Sequence, residues 1–224
     1  GWASLDAIVL THTHGDHIKK KCLTYCVEHE IKFVCHENHA EQLAGGRYFK
    51  RLCERGLLWT FDGQSPFELS RLGWNKTNGV ACEDGCLLRF HPIQVPHDRP
   101  PTFGFRIEAR IARAPDAANG AADAHRWVKL GYLVDLGCCA DSVLNSVADV
   151  DLLALEFNHD EQLERNSGRH PNLIQRVMGG EGHLSNTKAA EVFRRLLESG
   201  INGGPKLLVQ MHLSLDCNRP ELAY

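Results

Sequence analysis

An apolar run, Leu5-Asp6-Ala7-Ile8-Val9-Leu10, leads directly into His12-Thr13-His14-Gly15-Asp16-His17, and no other segment constrains the chain as much. The run reads as a core strand. Three imidazoles and a carboxylate then sit on the loop at its C-terminal end, where open α/β sheets place their chemistry. His12 and His14 are two apart on extended backbone and turn the same way, while Asp16 and His17 face a second position. Neutral imidazole nitrogens with carboxylate oxygens suit Zn²⁺, and also Mn²⁺ or Fe²⁺, better than the all-oxygen sets of Ca²⁺ and Mg²⁺. A solvated polar loop is the alternative; the ligand-type side chains point instead to metal.

The chain has 224 residues, 43% of them hydrophobic, enough for a full core and expected to form one domain over 1–224. A net charge of -3 and a pI near 6.5 give no global basic field, so contact with nucleic acid must come from a local patch. No stretch approaches the roughly 18 apolar residues that cross a bilayer, and no signal peptide opens the chain. The expectation is a cytoplasmic protein without a membrane partner. Nine cysteines lack a zinc-finger spacing and read as reduced. Cys82 and Cys86 flank a hairpin turn, Glu83-Asp84-Gly85, which leaves a cross-strand pair or a further metal open.

Helical patterns alternate with short apolar runs. Ile18, Cys22 and Cys26 mark a helix face, Ile31 to Cys35 a strand, and Asn38 is expected to cap a short helix through Leu43. A helix around Tyr48 to Arg55 stops at Gly56. The middle, Gly79 to Ile111, reads as antiparallel strands, and 113–125 as a mobile surface insertion. Strand Trp127 to Val134, a helix near Ser142 and strand Asp151 to Phe157 follow. In the last helix Ala189, Ala190, Phe193, Leu196 and Leu197 form one apolar face that ends at Gly200.

Three later residues extend the pattern: His97 in Val95-Pro96-His97-Asp98, Asp135 at the end of the apolar run Val128 to Val134, and His212 at the end of Leu207 to Met211. With the first loop they resemble the metallo-β-lactamase fold superfamily. The resemblance implies a four-layer αββα sandwich in which His12, His14 and His97 hold one metal, Asp16, His17 and His212 hold the other, and Asp135 bridges them. It also implies several strands before the first loop, where this chain has one. The expected chain is therefore a fragment lacking part of its first sheet. Asp135 is followed by Leu136 where the family commonly has Thr, which removes a hydroxyl beside the ligand but not the ligand.

Only 77 residues separate Asp135 from His212, too few for the inserted domain of the β-CASP nucleases. Glu156-Phe157-Asn158-His159-Asp160, Gly182-His183-Leu184-Ser185-Asn186 and His212-Leu213-Ser214 resemble the YycJ (WalJ)-type subgroup, related to phosphoribosyl cyclic phosphodiesterases and ribonuclease Z-like enzymes. That resemblance implies phosphodiester hydrolysis, with 5′ to 3′ exonuclease action on DNA leading. Two divalent ions, Zn or Mn with Fe as a further option, would share a hydroxide roughly 4 Å from ion to ion. A small cyclic phosphodiester is the alternative substrate, and a catalytically impaired metal- or DNA-binding fragment the non-enzymatic alternative. Asp16 and His183 are the expected catalytic residues, His183 as proton donor or phosphate contact. Asn158 and His159 follow a strand end, a functional location, but a capping role for the segment Asp160 to Glu164 explains them equally. Ser185 or Asn186 can cap the helix that follows His183, whose free N–H groups would face a phosphate. Arg165, Arg169 and Arg176 supply charge to a DNA backbone if they share a face; a solvated face is the simpler reading.

Overall fold

The computed structural model describes residues 5–70, 73–76, 86–98, 101–112, 125–199 and 203–223. Within these residues the strands form two sheets. The first is parallel, in the order β1 (Ala7–Val9), β2 (Lys32–His36), β3 (Leu58–Phe61). Its connections carry α1 (Lys20–Glu28), α2 (Glu37–Leu43) and α3 (Arg47–Glu54).

The second sheet has seven strands: β4 (Phe67–Ser70), β5 (Gly73–Lys76), β6 (Cys86–Val95), β7 (Thr102–Ala112), β8 (His125–Leu133), β9 (Leu152–Glu156) and β10 (Leu207–Met211), in the spatial order β10-β9-β8-β7-β6-β4-β5. The stretch from β5 to β8 is antiparallel, and β8, β9 and β10 are parallel. Four further helices are α4 (Asp141–Ser146), α5 (Glu161–Arg165), α6 (Pro171–Met178) and α7 (Asn186–Glu198).

Three hydrophobic clusters define the layers. Strand alternation sends Phe33 and Cys35 of β2 outward onto Leu23, Cys26, Phe49 and Leu52 of α1 and α3. Val34, between them, points inward to Phe61, Phe67, Phe90, Phe103 and Phe105, the core between the two sheets. There the Phe67 and Phe90 rings stack with centroids 5.0 Å apart. On the far side, Leu133, Leu153 and Leu155 pack against Val143 and Leu144 of α4 and Ala189, Val192 and Leu196 of α7. Helix, sheet, sheet, helix is the four-layer sandwich expected from the sequence. On the edge strand β10, Leu208 packs toward α7 and its neighbours Leu207 and Val209 face the other way, 62% and 42% exposed. No helix among the described residues is long and apolar enough to cross a membrane.

Several local expectations shift. The cap of α2 is His36, whose ring nitrogen accepts from the Asn38 N–H at 3.1 Å, so Asn38 lies inside the helix it was expected to cap. Gly56 ends α3 as expected, at φ +65°, a left-handed conformation that glycine adopts at no steric cost. β8 begins at His125, two residues before the expected start. The turn holding Cys82 and all of the 113–125 insertion but His125 lie outside the described residues.

His39 on α2 carries a pH-dependent term. Its ring is 0% exposed; Nε2–H donates to the Pro101 carbonyl at 2.7 Å, and Nδ1 is buried without a partner. Burial therefore holds its pKa below the ordinary imidazole value. The unfolded chain takes up a proton near pH 6.5 that the folded ring refuses, so this contribution to stability is lost as pH falls through that value. Unfolding free energies of the parent from urea titrations between pH 7.5 and 5.5 should fall more steeply than those of His39→Gln, by at most about 1.4 kcal/mol per pH unit for one proton. Parallel slopes would remove His39 from the account.

Candidate metal centre

β6, β8, β9 and β10 run in one direction, so their C-terminal ends meet at one edge of the second sheet. His97, Asp135, Glu156 and His212 occupy those ends, and the loop after β1 brings His12, His14, Asp16 and His17 to the same place. The tie is direct: Phe103 N–H donates to the Thr11 carbonyl at 3.1 Å. Asp135 and His212 each turn out of their strands with left-handed backbone, φ 60° and 55°. Non-glycine residues held this way store about 1–3 kcal/mol each and concentrate at functional sites.

The side chains converge. Ring centroids of His12 and His14 are 4.5 Å apart, His12 and His17 4.2 Å, His14 and His97 5.2 Å, and His17 and His212 5.7 Å. Within the sets His12–His14–His97, His12–His17–Asp135 and Asp16–His17–His212, one donor atom of each residue lies within 4.8 Å of the others. All seven residues expected to gather from the sequence are therefore in one cluster.

Hydrogen bonds orient the rings. His97 Nδ1 donates to the Gly182 carbonyl at 2.8 Å, and His212 Nδ1 donates to Glu156 Oε1 at 2.7 Å. His12 Nδ1 is 3.1 Å and His17 Nδ1 3.4 Å from the Thr11 hydroxyl. In each ring Nδ1 has a protein partner, which leaves the Nε2 lone pair to face the centre. Among the described residues, His12 Nε2 is buried without a hydrogen bond, and Asp135 Oδ2, 3.0 Å from His17 Nε2, has no other polar partner. Buried polar atoms seldom go unmatched, and orphaned nitrogen and carboxylate donors of this kind fit a divalent cation.

Electrostatics agree. Burial and the neighbouring His17 ring push the His12 pKa down to about 3, so this ring is neutral and able to ligate. Burial opposes the charge of Asp135, but His17, His212 and His12 prevail and hold its carboxyl below the usual carboxylate range.

Glu156 ends the apolar run Leu152-Leu153-Ala154-Leu155 just as Asp135 and His212 end theirs, a signal that does not by itself tell its role. It is 0% exposed. Oε1 accepts from His183 Nδ1 at 2.8 Å and from His212 Nδ1, and Oε2 accepts from the backbone N–H groups of Leu136 at 3.1 Å and Leu184 at 3.2 Å. Its oxygens are thus occupied, and its task is to orient two imidazoles.

The remaining predicted residues divide. A cleft of about 440 Å³ over the cluster is lined by Asn158, Arg176 and His183 among others. Asn158 holds the ligand loop, its amide donating to the His212 carbonyl at 2.9 Å. Cap duty falls to Asp160, which accepts from Gln162 N and Leu163 N. His159 and Ser185 line a separate cavity, because consecutive residues leaving β9 point to opposite sides. The three arginines are not free cations. Arg176 pairs with Asp98 through Nε at 3.1 Å, Arg169 with the buried Glu164 at 3.0 Å and with Asp216 at 2.9 Å, and Arg165 with Glu161 at 3.8 Å.

The family model of the beta-lactamase superfamily domain matches residues 1–212, and the chain belongs to that superfamily. It is 26% identical over 220 residues to exodeoxyribonuclease WalJ of Streptococcus pneumoniae, an alignment spanning 98% of this chain and 68% of the relative. Among solved structures, a diphosphatase from the PhnP family superposes with a TM-score of 0.54 at 16% identity, covering 96% of this chain and 63% of that one. Zn²⁺-bound PqqB from Methylobacterium extorquens gives a TM-score of 0.58 at 14% identity, covering 97% of this chain. The chain spans less than two thirds of those two structures, 63% and 62% of their lengths, and at these identities they show the fold.

Replacing Glu156 with Gln keeps the shape but sets an amide N–H against an imidazole N–H. Metal affinity of Glu156→Gln, measured by chelator competition with metal content, should fall about 10- to 100-fold. An unchanged affinity would mean that Glu156 only fills space.

Proposed function

We propose that this chain is a metal-dependent phosphodiesterase that removes nucleotides from the 5′ end of DNA. The observation that carries the reading is the convergence of His12, His14, Asp16, His17, His97, Asp135 and His212 beneath an open cleft, in a chain similar along 98% of its length to an exodeoxyribonuclease. His12, His14 and His97 would hold one ion, Asp16, His17 and His212 the other, with Asp135 between them. Zn²⁺ and Mn²⁺ both fit nitrogen donors mixed with carboxylates. Such ions supply a nucleophile at neutral pH and neutralise charge on the phosphoryl oxygens.

The chain's own groups position and move protons. Asp16 is the exposed member of the set, 68% accessible at the rim, where the substrate arrives. His183 is 21% accessible and lines the same cleft. Its Nδ1–H is bound by Glu156, which leaves Nε2 as the ring atom that would exchange a proton with the leaving oxygen. Asn158 keeps the His212 loop in register, and Asp98 holds the Arg176 guanidinium at the cleft wall.

A small phosphodiester is the second reading, favoured by the modest cleft of about 440 Å³ and by the likeness to a PhnP-family diphosphatase.

The test uses 5′-phosphorylated, end-labelled DNA with the Mn²⁺- or Zn²⁺-loaded protein beside Asp16→Ala. Mononucleotides released from the 5′ end by the parent alone are expected. Loaded protein that leaves DNA intact but opens a cyclic sugar phosphate would establish the second reading, and inertness toward both would make the chain a binding fragment. His183→Ala should lower kcat by about 10²–10⁴ with metal content retained. Loss of metal instead would make His183 a ligand.

A further inference from the structure

A second cavity, of about 690 Å³, shares α6 as a wall with the metal cleft. Arg176 and Val177 line the cleft, while Pro171, Ile174, Gln175 and Met178 line the cavity. Those four are spaced i, i+3, i+4 and i+7, one face of the helix. An amphipathic helix ordinarily buries its apolar stripe in the core. α6 has no buried residue, and the stripe of Pro171, Ile174 and Met178 fronts open space.

The cavity also holds a buried polar group. His159 is 1% exposed and lines the same cavity. Its hydrogen bonding can be assigned from its neighbour. Asn158 uses its amide nitrogen on the His212 carbonyl, so its oxygen faces His159 Nδ1 at 3.4 Å and requires a proton there. Nε2 is then an acceptor, and no described residue donates to it. Burial favours the neutral ring. At the rim stand Arg165, 3.8 Å from Glu161, and Lys188 in the first turn of α7, its ammonium 3.3 Å from the Met178 carbonyl.

An apolar wall, a neutral acceptor and the ammonium of Lys188, which has no carboxylate partner among the described residues, describe a flat heteroaromatic ligand with an N–H edge and an anionic arm. We propose that this cavity is a second nucleotide subsite, taking one nucleoside phosphate unit, with the base against Ile174 and Met178, its N–H edge at His159 Nε2 and its phosphate at Lys188. The subsite rests on the nucleic-acid reading given above. A single residue step, from Asn158 in the cleft to His159 in the cavity, links the two.

Calorimetric titration of the metal-loaded protein with dAMP, deoxyadenosine and inorganic phosphate tests this. We expect a saturable dAMP site that Asp16→Ala retains, at which either fragment alone binds at least tenfold more weakly, and that Ile174→Glu and Lys188→Glu each weaken at least tenfold. Lys188 is exposed, so its variant remains informative if Ile174→Glu fails to fold. Affinity unaffected by Lys188→Glu, or phosphate binding as tightly as dAMP, would overturn the proposal. So would a parent dimer that Ile174→Glu converts to a monomer, which would make the stripe a subunit contact. Hydrolysis of bis(4-nitrophenyl) phosphate by the parent reports separately on the metal centre. Its absence would sink the phosphodiesterase reading while leaving the dAMP result to stand or fall on its own.

Discussion

A carboxylate without access to water, Glu156, organises the site. Burying such a charge is strongly unfavourable unless its lone pairs are matched, and here four donors match them: two backbone N–H groups and two imidazoles. The donors come from three separate segments, the exit of β8, the turn before α7 and the exit of β10, so one side chain fixes their mutual positions. Although burial opposes it, the His183 and His212 bonds keep Glu156 ionised. Asp135 lies close enough to repel it. Two buried carboxylates ringed by six imidazoles, His12, His14, His17, His97, His183 and His212, form a charge system that divalent cations complete.

Backbone packing holds the rest of the cleft in place. A Cβ on Gly182 would stand 2.1 Å from the Arg176 carbonyl oxygen, and one on Gly137 would stand 2.4 Å from Gly180. At both glycines two chain segments touch. His183 N–H bonds the Val177 carbonyl at 2.8 Å, which fastens the end of α6 beside the cleft. A helix with no buried side chain is thus anchored through main-chain contacts, and both of its faces remain available as walls.

What the sequence made legible was whatever local chemistry encodes. Ligand-type residues at apolar strand ends, Gly56 after α3 and Ser185 before α7 each carry their signal within a few residues. The pairings that give side chains their duties span much greater distances. Arg176 meets Asp98 and Arg169 meets Asp216 across chain separations of 78 and 47 residues, and no periodicity reports such contacts. Glu156 was hidden differently. Its sequence signature matched that of Asp135, but assigning it to orientation rather than ligation required knowing that both of its oxygens were already occupied. His159 and Asn158 were indistinguishable in sequence until strand alternation separated their faces.

The pairing of the arginines bears on how a nucleic acid would be held. Affinity for DNA usually draws on free Lys and Arg that displace counterions from phosphates. This chain carries a net charge of -3, and both arginines lining its cleft are engaged with carboxylates. Purchase on a strand must therefore come from the metal centre acting on the scissile phosphate and from contacts to the bases or sugars beside it. A single phosphate on two ions does not distinguish a polymer from a small ester. Discrimination then falls to whatever accepts a neighbouring nucleotide, and the unburied apolar stripe of α6, which shares a cavity with an acceptor histidine one residue from the cleft, is the surface best shaped for that task.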